Sequence, residues 1–244
     1  AGATTHHCEI GTGGCHGVYT NGGSSALGPH RLSFLWGGCG GACQSGGAGG
    51  AVVLSDHLAH RWVIAQFASA TGGTPITDEC VAVSTTADAT GSYYRYGFHL
   101  GSNFFDYPHL AVWPDAYYMS MNVFNSRGTS SLVPQAFAFN LSAMLTAAPS
   151  SFCPPVAVRV GSVGPFVPAD LAGTTLPTPG APNTFVGFPS GGQYTTYHFH
   201  ADFATPGNST FTTFANPPAA GYTALCPSSR ACVPQNGVTS SNYL

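Results

Sequence analysis

The chain has 244 residues, of which 43% are hydrophobic and only 6% charged, against roughly 25% charged in an average domain. Its six basic residues are all arginine and nine are acidic, a net charge of −3 that offers no basic face to nucleic acid. This hydrophobic content argues against disorder, no run of about 18 apolar residues predicts a membrane span, and 32 Gly with 19 Pro suit a turn-dense β protein.

Residues 1–17 lack the basic start and apolar stretch of a signal peptide, so a mature, processed start is expected. Asn21-Gly22-Gly23 after Val18-Tyr19 is a hairpin signal. Alternating Leu32, Phe34 and Trp36 predict a strand over 30–36, and the Gly-rich stretch 37–50 reads as a loop stapled by its cysteines.

The clearest pattern runs from Val52 to Phe124. Runs rich in Val, Ile, Tyr, Phe and Trp fall at 52–55, 61–67, 80–84 and 93–100, then again at 109–113 and 116–124. Turn chemistry separates them at 56–60, 85–92 and 114–115. Four strands, a connection and a restart is how an antiparallel blade repeats in a β-propeller. A second unit spans 106 to about 164, with 135–145 read as a strand running into a short helix. A third spans 166–226, with strands near 184–188, 195–203 and 209–214. The Pro-rich stretch 176–182 reads as a surface crossing, and Val233-Pro-Gln-Asn-Gly as the approach to a further blade.

The expected fold is therefore all-β, a propeller of four-stranded antiparallel blades. A partial first blade, three fuller ones and the start of a fifth predict an incomplete propeller. The whole chain, 1–244, would be one domain or its N-terminal portion. Closure as a small propeller, or with another chain, is the alternative.

The same stretch resembles a family of secreted, mostly bacterial β-propeller proteins. The matching residues are Leu54, Asp56, Ala59, Arg61, Trp62 and Phe67, then Cys80-Val-Ala-Val-Ser-Thr-Thr, Asp88, Thr90-Gly91 and Tyr94. They continue in Asp106-Tyr107-Pro108, Val112-Trp113-Pro114-Asp115, Tyr117-Tyr118, Asn122 and Phe124. The resemblance implies a propeller fold and an extracellular location, and it implies no particular reaction. His200 and Asp202 also match the family pattern; His198 has no place in it.

Eight cysteines, an even number, fit an extracellular disulfide framework. Spacing suggests local pairs Cys39–Cys43, Cys226–Cys232 and Cys8–Cys15, which leaves Cys80 and Cys153 paired by elimination. No two cysteines have the CxxC spacing of a zinc–thiolate site.

Asp106 and His109, entering an inner strand, are candidates for a catalytic base or ligand. Asp106 before Tyr107-Pro108 is equally good turn chemistry. Asp56 with Arg61 reads as a hydrogen-bonded pair in a blade turn. His198, His200 and Asp202 alternate, so on one strand they would share a face and could bind a divalent ion such as zinc. Aromatic runs at 93–96 and 117–118 could stack on sugars, although alternate members of such runs more often pack between sheets. Asn140-Leu-Ser142 and Asn208-Ser-Thr210 are N-glycosylation sequons.

No GxSxG, HExxH or phosphate-binding loop is present. The leading expectation is a secreted, noncatalytic binding or adhesion module whose partner is a glycan or another extracellular protein. The alternatives are a carbohydrate-active hydrolase or lyase, with an axial carboxylate, histidine or metal site, and a structural component of an extracellular assembly.

Overall fold

The computed structural model describes residues 3–8, 15–71, 73–148, 155–159, 165–173, 175–223, 226 and 232–233. It forms one three-stranded and three four-stranded antiparallel sheets. The first sheet holds β1 (Ala3–Cys8), β2 (Cys15–Thr20) and β3 (Ser25–Arg31). A 3-10 turn (Leu32–Phe34) and a short helix, α1 (Gly41–Ser45), lead out of it. The second sheet is β4 (Val52–Asp56), β5 (Arg61–Ala68), β6 (Asp78–Ser84) and β7 (Tyr93–His99). The third is β8 (Phe104–Val112), β9 (Ala116–Phe124), β10 (Gln135–Asn140) and β11 (Val156–Arg159), with α2 (Leu141–Met144) after β10. The fourth is β12 (Phe166–Pro168), β13 (Asn183–Ser190), β14 (Gln193–His200) and β15 (Thr210–Ala215). Every sheet is a simple meander, with strands in chain order.

Apolar residues on both faces of the middle strands explain why the sheets stack. On β9 the run from Ala116 to Met121 is buried throughout. A strand buried on one side only would alternate. Val63, Ala65, Val81 and Val83 of the second sheet meet Met119, Met121, Phe137 and Phe139 of the third. Ala116, Tyr118, Ala136 and Ala138 of the third meet Phe166, Phe185, Tyr197 and Phe199 of the fourth. The other face of the second sheet, with Ile64, Cys80 and Ala82, is covered by Leu32, Trp36 and Cys43. The leading strands lie side by side: β1 packs on β4, β4 on β8 and β8 on β12. No helix among the described residues is long and apolar enough to cross a membrane.

Two readings of the sequence need correction. Residues 30–36 are not a strand: β3 stops at Arg31 and a 3-10 turn follows. Leu32 and Trp36 point into the core, while Phe34 is 65% exposed. Positions four apart share one side of a helical turn, so apolar residues at 32 and 36 satisfy the core without a strand.

The cysteine pairing is the second. Cys43 bonds Cys80, 37 residues away, and not Cys39. The reason is tertiary: α1 packs on β6 and carries Cys43 to it. Cys39 is left as a half-buried free thiol. Pairing of Cys80 with Cys153 is thereby ruled out, and Cys153 itself lies outside the described residues. Cys226–Cys232 forms as its spacing suggests. Cys15 is disulfide-bonded, and the register sets Cys8 opposite it.

Candidate functional site

Among the described residues, several of the few charged side chains are held against the chain's own backbone. Asp56 Oδ1 accepts from the N–H groups of Leu58 and Ala59, which fixes the β4–β5 turn. Its other oxygen accepts from the Tyr117 hydroxyl at 2.8 Å. Arg61, expected to pair with Asp56, donates instead to the carbonyls of Ala59 and His60. In the next sheet Asp115 accepts from Tyr118 at 3.0 Å, and burial raises its pKa above the usual carboxylate value. Tyr117 and Tyr118 are fully buried, so they pack between sheets and offer no stacking surface.

The candidate catalytic residues do not form a working pair. Asp106 and His109 flank a bulge in β8, at which register slips against β9. Tyr107 sits at its crest with φ +58 and 61% exposure. Asp106 accepts from the Tyr107 N–H, and no hydrogen bond joins it to His109. His109 packs edge-on to Tyr107, 4.4 Å between ring centroids, and burial lowers its pKa.

The expected metal face is also absent. β14 ends at His200, so Asp202 has left the strand and with it the shared face. Asp202 accepts from the N–H groups of Ala204 and Thr205 and from Asn208, bonds that hold its pKa down. His198 stacks on Phe214 at 3.8 Å. Among the described residues no three His, Cys, Asp or Glu side chains gather as a metal site.

What the structure does assemble is a cleft of about 380 Å³ between the first sheet and the β6–β7 turn. Leu27, Phe34 and Leu35 bring apolar groups to its lining, Thr90, Ser92 and Arg95 bring polar ones, and His16, Gly91 and Tyr93 complete it. The lining is fixed locally. Leu32, anchored in the core, turns Phe34 outward. Arg95 Nη1 donates to the carbonyls of Leu35 and Gly37, tying β7 to the segment after the 3-10 turn. Asp88 Oδ1 accepts from both the N–H and the hydroxyl of Thr90, which shapes the turn and lowers the Asp88 pKa. Tyr93 donates to the Ala89 carbonyl, and burial followed by the nearby Asp88 charge keeps its hydroxyl protonated.

No protein-family model matches the chain, and neither curated proteins nor solved structures give a match.

His16 is buried in the cleft lining, edge-on to Tyr93. Burial, then the neighbouring His30, lowers its pKa, so the imidazole is neutral at neutral pH. Its Nε2 is buried and has no hydrogen-bond partner. Gly28 permits the close approach here: its φ is +70, and a Cβ would stand 2.7 Å from the His16 carbonyl oxygen.

The cleft volume lies in the range of small-ligand sites. An exposed aromatic ring in one cleft with hydroxyls and a guanidinium suits a ligand that carries both apolar and polar surface. Sequence reasoning missed His16, Phe34 and Arg95. The one signal present was Arg95 itself, a cation inside the Tyr93-Tyr94-Arg95-Tyr96 run.

Proposed function

We propose that this chain is an extracellular, noncatalytic binding module of the β-propeller type, and that a glycan occupies the cleft between the first sheet and the β6–β7 turn. The observation that carries the reading is Phe34, 65% exposed and lining the same cleft as Thr90, Ser92 and Arg95. A pyranose presents a C–H face for aromatic contact and hydroxyls for polar groups, so a lining of both kinds matches its two characters. The propeller reading is supported by repeated four-stranded meanders and by leading strands that lie next to one another. Disulfides fit an oxidising, extracellular compartment.

A glycan-array screen of the wild-type protein beside Phe34→Ala tests the reading. Binding to a defined sugar set that Phe34→Ala abolishes is the expected result. No binding to any sugar, or binding that Phe34→Ala leaves intact, overturns it.

A further inference from the structure

The two sequons differ in what the fold does with them. Asn140 is half-buried at the N-cap of α2, where its Oδ1 accepts from the Ala143 N–H at 3.1 Å. The sequon hydroxyl, Ser142 Oγ, is turned onto the same oxygen at 2.9 Å. A glycan there would have to displace a working cap. Asn208 is exposed at the end of a 3-10 turn, with its Nδ2 held only by a 3.3 Å contact to Asp202. Thr210, its sequon hydroxyl residue, is exposed too.

Thr210 is also the first residue of β15, the edge strand of the fourth sheet. Among the described residues no strand covers the outer side of β15. Its sequence, TFTTFA, has no charge, proline or glycine, and Phe214 on it is 63% exposed. A neutral, β-prone segment on an open edge is a template for pairing with another chain, and folded proteins guard such edges. Pro217 and Pro218 follow the strand and Pro206 opens the 3-10 turn before it, but none of them lies on β15 itself.

We infer that Asn208 carries an N-linked glycan, and that this glycan guards the β15 edge against pairing with a second chain. The donor is an oligosaccharide on a lipid pyrophosphate. The Asn208 Nδ2 loses one proton and bonds C1 of the first sugar, while the C1–O bond breaks and lipid pyrophosphate leaves.

The test is peptide mass mapping of the full-length protein from its own source, before and after peptide N-glycosidase. Chymotrypsin suits a chain with six arginines and no lysine. A sugar mass on the Asn208 peptide, removed with conversion of Asn208 to Asp, is expected. An unmodified Asn208, or a glycan on Asn140 alone, overturns the assignment. In a glycosylating secretory host, Asn208→Gln and Thr210→Val should both lose the glycan and Thr210→Ser should keep it. Size-exclusion chromatography reads the guarding role. Loss of the monomer peak is expected in both glycan-free variants but not in Thr210→Ser, and unchanged monomer in both refutes that role.

Discussion

Tyr117 reaches from the third sheet to Asp56 of the second and donates a 2.8 Å hydrogen bond into the carboxylate that shapes the β4–β5 turn. One acidic group therefore fixes a turn and joins two layers.

Tyr117→Phe removes only the joining bond. The expected loss is about 1–3 kcal/mol, the usual scale for a buried bond to a charged acceptor. Asp56→Ala should cost more, because it also strands the turn N–H groups and leaves the Tyr117 hydroxyl buried and unpaired. Urea midpoints of the two variants give the answer; an unchanged midpoint for Tyr117→Phe would show that the bond contributes nothing.

Glu79 on β6 is fully buried, and neither carboxyl oxygen has a partner. Burial raises its pKa well above the ordinary 4.5. Between 4.5 and that raised value the folded chain keeps the proton and the unfolded chain releases it. Unfolding therefore becomes easier as pH rises from 4.5 toward the folded pKa. Glu79→Gln should flatten this fall, and Glu79→Leu should stabilise the protein at neutral pH by roughly 1–3 kcal/mol. Unfolding midpoints across a pH series measure both, and a wild-type stability that climbs over that range would refute the argument.

Loss of the Cys43–Cys80 bond, through Cys43→Ser, should cost about 3–4 kcal/mol by the entropy of the loop it closes. Without reductant, a small alkylating reagent should label Cys39 and leave Cys43 and Cys80 untouched. Protection of Cys39, with a Cys39–Cys43 cross-linked peptide in the digest, would mean that the pairing suggested by local spacing is the true one.

Zinc ions should give no stabilisation that depends on His198 or His200. Thermal midpoints of wild type, His198→Ala and His200→Ala with and without zinc decide it, since a ligand that binds the folded state raises the midpoint. A zinc-induced rise lost in either variant would restore the metal site.

Phe34→Ala should change stability by no more than about 0.5 kcal/mol, as its ring is mostly outside the core. Arg95→Ala frees two carbonyls and should cost on the order of 1 kcal/mol. Differential scanning calorimetry separates these stability effects from any effect on ligand binding.

Strands between 52 and 124 were legible because pattern and turn chemistry agree there. Val63 to Phe67 and Cys80 to Ser84 are apolar runs bounded by good turns, and they became β5 and β6. In the third sheet β9 and the strand running into a short helix within 135–145 were legible, whereas the Asn140 cap and β11 were not. Readings failed where a residue's partner lies far off in the chain. Cys43 meets Cys80 only because a helix docks on a strand, and no spacing rule contains that. Asp202 looked like a third member of an alternating face because the end of β14 is set by the turn it caps. The cleft was invisible for the same reason: His16, Phe34 and Arg95 come from three separate segments, and only packing brings them together.

Sheet order in space follows sheet order in the chain, so each layer needs only the layer made just before it. A chain emerging amino-terminus first can set its second sheet as soon as β7 is out, and that sheet then presents a finished apolar wall to the strands still to come. No described strand has to wait for a distant partner, which keeps sticky intermediate surfaces short-lived as the chain folds. Among the described sheets, cutting out the second or the third would bare the apolar walls of both its neighbours.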